Sequence, residues 1–199
     1  MRLRRNAGVL MRSGDRMARR ARLRGLTLVE LALALAVLAL LLRTGAPALE
    51  ELAEAFTLQA VIGEFGADVQ LTRSAALQRN GRVVMCKSNG HACQTAGGWE
   101  QGWIVFHDAN ANGAADAGEE IVGRRGPLPA GWRLTGNKPV SSYVSYTGAG
   151  TSKMLSGAFQ AGTVTLCRES PGPAVPARKL VLSSAGRPRV EKDVLAACP

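Results

Sequence analysis

Residues 24–42 read RGLTLVELALALAVLALLL, and this stretch decides the fold. From Leu31 to Leu42 every residue is Leu, Ala or Val, before Arg43 ends the run. With its flanks the segment approaches the length of a membrane-spanning helix. Glu30 lies near its start. An ionised carboxylate at that depth is costly and calls for a partner. No other run in the chain is long and apolar enough to span a membrane.

The charge distribution points the same way. The 199-residue chain carries a net charge of +10, which on its face suggests a nucleic-acid or acidic-membrane partner. Residues 1–25, however, hold nine Arg and one Asp, a net of +8. The rest has 16 basic against 14 acidic residues, or about +2. The basicity is therefore mostly a leader, and a positive amino-terminal region before an apolar run is a targeting signature. Positive charge is retained on the cytoplasmic side, so the helix enters with its carboxyl end outward.

Cysteine usage agrees with export. Cys86, Cys93, Cys167 and Cys198 are four in number, and four cysteines allow three pairings. Cys86 and Cys93 bracket the short polar loop CKSNGHAC, which favours pairing them with each other and Cys167 with Cys198. The second bridge would tie the last residues to a strand, where a tail otherwise frays. Free thiols fit a reducing compartment poorly matched to this leader. A zinc site lacks the CxxC pair it would need.

Two plain readings of the leader are a secretory signal, with Ala46-Pro47-Ala48 as a small-residue cleavage site, and a simple single-span anchor. Neither accounts for Glu30. RGLTLVEL resembles the processing site of type IV pilins and pseudopilins. The resemblance implies that a prepilin peptidase cuts after Gly25 and that Leu26, where relatives often carry Phe, becomes the N-methylated amino terminus. It also implies that Glu30 neutralises the amino terminus of a neighbouring subunit in the fibre. Charge pairing of that kind offsets desolvation of the carboxylate.

The helix is expected to continue past Arg43. Leu49, Leu52, Phe56, Ile62, Phe65, Val69 and Ala76 recur near three-, four- and seven-residue spacings, the period of one buried helix face. Pro47 predicts a kink between the apolar and amphipathic halves. Asn80-Gly81 predicts the stop. After Gly81 short β-type runs alternate with Gly, Pro, Asn and Asp. They fall at Arg82–Cys86, Trp103–His107, Glu120–Arg124, Trp132–Thr135, Tyr143–Tyr146, Thr163–Cys167 and Lys179–Ser183. Residues 170–177, SPGPAVPA, read as an extended, mobile loop. Trp99, Trp103, Trp132 and Phe106 read as core anchors. The expected fold class is α+β: a type IV pilin fold, with a long kinked amino-terminal helix packed on a head of two small antiparallel β-sheets. The expected division is a cleaved basic leader (1–25), a helix (26–80, transmembrane in 26–46 and amphipathic in 47–80) and a β-rich head (81–199).

The head resembles the branch of minor pilins that includes the secretion pseudopilin GspH and the type IV minor pilin FimT. The resembling stretches are LTRSAALQRNGRVVMC (71–86), GGWEQGWIVFHDANANGAADAGEE (97–120), GTVTLC (162–167) and LVLSSAGRPRV (180–190). In some FimT-like proteins a GRxR motif near the carboxyl end contacts DNA, and Gly186-Arg187-Pro188-Arg189 matches it. In an extended segment Arg187 and Arg189 share one side, and guanidinium groups bind phosphate bidentately. Arg178, Lys179 and Lys192 extend the patch. Residues 178–199 hold five basic and two acidic side chains, a net of +3. That supports a weak, salt-sensitive contact with double-stranded DNA and no base readout. The plainer reading is a solvated strand edge guarded by cations.

Asp108-Ala-Asn110-Ala-Asn112-Gly113, with Glu119 at the twelfth position, matches the EF-hand calcium pattern. Its flanks read as strands rather than helices, and Asp/Asn/Gly-rich loops form without metal. No cofactor is expected, with calcium the one candidate. Neither His91 nor His107 sits in a nucleophilic or metal-binding arrangement, and a non-enzymatic protein is expected.

Two functions follow. The first is a minor pilin that assembles into a pilus and binds DNA through its carboxyl-terminal segment during uptake in natural transformation. The second is a structural pseudopilin that primes or caps a pilus or type II secretion pseudopilus without binding DNA. Either implies a prepilin peptidase, other major and minor pilins and an assembly platform as partners. Either also implies residence in a bacterial inner membrane, head in the periplasm, before incorporation into the fibre.

Overall fold

The computed structural model describes Gly25, residues 27–170 and residues 172–199, the Thr44 side chain excepted. The basic residues 1–24 and Leu26 lie outside the described residues. The chain divides into two compact units, residues 1–46 and 47–199.

Helix α1, Leu28–Arg79, contributes to both units. Thr27 caps it: the Thr27 hydroxyl accepts the Glu30 N–H at 3.2 Å, and the Thr27 carbonyl accepts the Leu31 N–H at 3.1 Å. The Thr-x-x-Glu spacing is that of a capping box, and a carboxylate in the first turn complements the helix dipole. Leu28–Leu42 is exposed throughout within its unit, and α1 is the one helix among the described residues long and apolar enough to cross a membrane. Helical structure is unbroken across Pro47. At the far end Asn80 adopts φ +47° and the Gly81 N–H reaches back to the Ala76 carbonyl at 3.2 Å. This is a left-handed cap, with Asn80 rather than Gly81 as its left-handed residue.

The buried face of α1 runs through Leu58, Ile62, Phe65, Val69, Thr72 and Ala76, with Val61, Asp68 and Ala75 beside them. Leu49, Leu52 and Phe56 are not on it: they are 67%, 53% and 68% exposed. The sheets begin to cover the helix only at Leu58, so these three side chains stay exposed.

Two four-stranded antiparallel sheets form the head. One has the order β3-β2-β1-β5, from β1 Arg82–Lys87, β2 Trp103–Asp108, β3 Ile121–Arg125 and β5 Tyr143–Tyr146. The other has the order β4-β6-β7-β8, from β4 Trp132–Gly136, β6 Gly162–Arg168, β7 Val175–Leu182 and β8 Pro188–Leu195. One core joins α1 to both sheets: Val83, Met85, Trp103 and Val105 from the first, Leu134, Val164, Leu166 and Leu180 from the second. Phe65 meets Trp99 and Trp103 edge-on, each at 5.1 Å. Both indole N–H groups are satisfied, Trp103 by Asp68 at 2.9 Å and Trp99 by the Val140 carbonyl at 3.0 Å. Asp68 also pairs with Arg125 at 3.0 Å, so its buried charge is compensated. Trp132 and Phe106 are buried as well, Phe106 in a smaller cluster on the opposite face of the first sheet.

The head therefore has eight strands where the sequence suggests seven. The added one is β8, at the edge of its sheet. The expected loop at 170–177 is also shorter than read, because β7 starts at Val175 and Val175 and Ala177 are buried. Pro176 is accommodated between them with its side exposed.

Candidate nucleic-acid interface

The Gly186-Arg187-Pro188-Arg189 segment is the turn and first residues of the β7–β8 hairpin. Leu182 pairs with Pro188, and the Ser183 N–H bonds the Arg187 carbonyl at 3.2 Å. The Ser183 carbonyl accepts the Gly186 N–H at 2.9 Å, and the Ser183 hydroxyl accepts the Arg187 N–H at 3.1 Å. Gly186 closes the turn at φ +74°, a left-handed conformation that favours glycine. Its Cα also sits against the head: a Cβ there would lie 2.7 Å from Tyr146 Cε1 and 3.0 Å from the Ser152 nitrogen. The Gly186 carbonyl accepts the Tyr146 hydroxyl at 2.7 Å and Arg73 Nη1 at 3.3 Å. Burial raises the Tyr146 phenol well above its ordinary range, so it stays a donor. The first glycine of the motif is thus a structural pivot, gripped from α1 and from β5.

The cations around it differ in their electrostatic surroundings. Arg187 is exposed and has no ion pair among the described residues. Arg189, 62% exposed, donates from Nε to Glu191 at 2.7 Å. Lys179 pairs with Asp193, and that hydrogen bond holds the Asp193 carboxyl below the usual carboxylate range. Arg189, Glu191, Lys179 and Asp193 therefore form an alternating charge ladder on one face of β7 and β8. That face borders a trough of about 560 Å³ that also meets Thr135, Thr163 and Thr165.

Arg178 and Lys192 do not join this ladder. They are cross-strand partners, and strand alternation places them on the opposite face. There Arg178 lines a cleft with Glu51, Glu54 and Leu58 of α1. The five cations of the carboxyl-terminal segment are consequently split between two faces, and two of those on the ladder face are neutralised locally. Arg73 is the residue the sequence reading misses. It lies 113 positions from Gly186, and no spacing signals the contact.

The calcium-like loop joins β2 to β3. Asp108 accepts the Asn112 and Gly113 N–H groups at 3.0 and 2.9 Å, and Glu119 accepts those of Ala109 and Asp116 at 2.9 and 3.1 Å. Asn110 and Asn112 both donate to Asp116, at 2.8 and 2.7 Å. Burial raises Asp108 above its ordinary value. The motif's oxygens thus serve as acceptors that brace the loop, and among the described residues no group of three His, Cys, Asp or Glu is placed to hold a metal. His91 is exposed in its loop and His107 lies on β2.

Cys86 is bonded to Cys93, with Cα atoms 5.5 Å apart, and Cys167 to Cys198, at 5.9 Å. The second bridge fixes the chain end, and the Pro199 carbonyl accepts the Thr135 hydroxyl at 3.3 Å. In the first unit Gly25 is exposed, and Glu30 sits at the end of an exposed apolar stripe of Leu33, Ala34, Val37 and Leu38 on one helix face.

A single long amino-terminal helix carrying a head of two antiparallel sheets is the fold of type IV pilins and pseudopilins. The family described as Type II transport protein GspH matches residues 62–186, more than half of the chain. The chain belongs to this GspH family, and so to the minor pilins and pseudopilins that associate with other pilins and their assembly machinery. Among solved structures it is similar to the Pseudomonas aeruginosa type IV minor pilin FimU, at 20% identity and a TM-score of 0.55, over 74% of this chain and 99% of that one. A second crystal form of FimU matches at 18% identity and a TM-score of 0.49, over 71% of this chain and 100% of that one. No curated protein matches the chain.

Proposed function

We propose that this chain is a minor type IV pilin whose head binds double-stranded DNA through the β7–β8 hairpin during DNA uptake. In this reading a prepilin peptidase removes residues 1–25 and Leu26 becomes the methylated amino terminus. The α1 anchor holds the protein in the inner membrane with its head in the periplasm until assembly. Glu30 then pairs with a neighbouring subunit's amino terminus. No cofactor and no catalysis are part of the proposal.

The observation that supports DNA binding best is the rigid presentation of Arg187. It is exposed and free of carboxylates, on a turn pinned by Tyr146 and Arg73. An uncompensated guanidinium has no carboxylate to give up when it meets a phosphate, which it binds bidentately. With few such contacts, affinity should be at or below the non-specific range of ~10⁻⁴–10⁻⁶ M and fall with salt. The second reading, a structural pseudopilin without DNA binding, draws support from the Arg189–Glu191 and Lys179–Asp193 pairs, which leave little net charge on that face. A gel shift separates them. Arg187→Ala with Arg189→Ala should abolish the shift by residues 47–199, the unit that holds the core cluster from Leu58 to Leu182. Unchanged binding by the double variant at low salt would refute the assignment.

A further inference from the structure

We infer that Arg73 of α1 is a DNA-backbone contact, forming with Arg187 a two-arginine phosphate clamp across the Gly186 carbonyl. The inference rests on the DNA-binding reading above and adds a residue from a different element. Arg73 Nη1 donates to the Gly186 carbonyl at 3.3 Å, one residue before Arg187. That carbonyl is also held by the Tyr146 hydroxyl at 2.7 Å, so the two arginines are joined through a fixed point. Arg73 forms no ion pair among the described residues, unlike Arg79, Arg125, Arg133, Arg168 and Arg189.

A carbonyl orients a guanidinium without cancelling its charge. The bond to Gly186 engages one of the five N–H donors that a guanidinium carries, and the others remain for a second acceptor. Arg73 bonds the carbonyl of the residue that precedes Arg187, so an anionic backbone that reaches the turn meets two uncompensated guanidinium groups. A DNA strand supplies that backbone: neighbouring phosphodiesters serve one guanidinium each, and the two free oxygens of each match the bidentate geometry of arginine. Arg189 stands next in line, already bound to Glu191, and contributes after exchanging that partner. The clamp thus places the primary phosphate contact at the turn and the helix rather than along β8.

The plainer role for Arg73 is to brace the hairpin, and the test is chosen to tell the two apart. Residues 26–199 in detergent, free of the basic leader, are titrated onto a fluorescent 30-base-pair duplex over a salt series. Wild type, Arg73→Gln, Arg187→Gln, the pair of these, and Arg187→Gln with Arg189→Gln are compared well below their melting temperatures. Arg73→Gln should weaken binding severalfold and flatten the slope of log K against log salt by ~0.9, the value of one lost phosphate contact on duplex DNA. In the Arg187→Gln background it should flatten the slope again by a similar amount. A change only in the wild-type background, or a lower melting temperature with an unaltered slope, would make Arg73 a brace and overturn the clamp. If Arg187→Gln with Arg189→Gln loses binding while Arg73→Gln matches wild type, the clamp fails and the DNA reading stands. If wild type does not bind, or that double variant binds equally well, both fail. Inorganic phosphate that displaces the duplex better than chloride at matched ionic strength would assign the clamp to a free anion and overturn the DNA contact.

Discussion

Gly186 and Glu191 show how single residues set the chemistry of the hairpin. Gly186 has no charge to offer, yet its carbonyl is where the helix, β5 and the turn meet. Gly186→Ala would strain a backbone at φ +74° and push a methyl against Tyr146 and Ser152. The left-handed conformation alone costs an L-residue roughly 1–2 kcal/mol. A fall in melting temperature of at least ~2–4 °C is expected for a domain of this size; an unchanged melt would mean that the turn is not held as described. Glu191 acts on charge instead. Because it neutralises Arg189 at 2.7 Å, Glu191→Gln should strengthen DNA binding and steepen its salt dependence. Weaker binding by Glu191→Gln would show that Arg189 depends on Glu191 for its orientation. None of this is visible from spacing alone, except that Arg189 and Glu191 must share a face because they are two residues apart on a strand. The Arg73–Gly186 contact joins positions too distant for any local pattern to reveal.

At the scale of elements, the helix and most strands were legible because their residues repeat at 3.6 or fall in short apolar runs between turn formers. The misreadings have one physical origin: periodicity identifies an apolar face but not what covers it. Leu49, Leu52 and Phe56 continue the helical period of Ile62 and Phe65, but the sheets reach the helix only at Leu58. The strand β8 lacks an apolar pattern for the complementary reason. As an edge strand it buries one side incompletely, and PRVEKDVL carries charge at four of its eight positions. Pro176 concealed the start of β7, since proline in a run argues against a strand unless an exposed position receives it. The helix start makes its own prediction. The Thr27 hydroxyl caps the Glu30 N–H, and the Glu30 carboxylate lies in the first turn, where it complements the helix dipole in addition to its proposed intersubunit role. Intact mass of the mature protein should correspond to an amino terminus at Leu26 carrying one methyl group. An amino terminus at Leu49 would instead mean cleavage beyond Ala48, removal of the anchor and no place for Glu30 in the fibre.

For the whole molecule, most of the positive charge resides in residues 1–25, which the proposed processing discards. Residues 26–199 carry a net charge of only about +2, so global basicity would not account for the proposed DNA binding. Any affinity must come from the few cations that the fold leaves without acidic partners, around a hairpin that the core holds rigid. Salt dependence counts those contacts directly. The decisive measurement is DNA affinity across a salt series for residues 26–199, with Arg187→Ala and Arg189→Ala combined in a parallel sample. The account predicts a wild-type slope of log K against log salt of about −2 to −3, as two or three phosphate contacts at ~0.9 each require, and a loss of most of it in the double variant. A slope that is the same in both proteins would contradict the account.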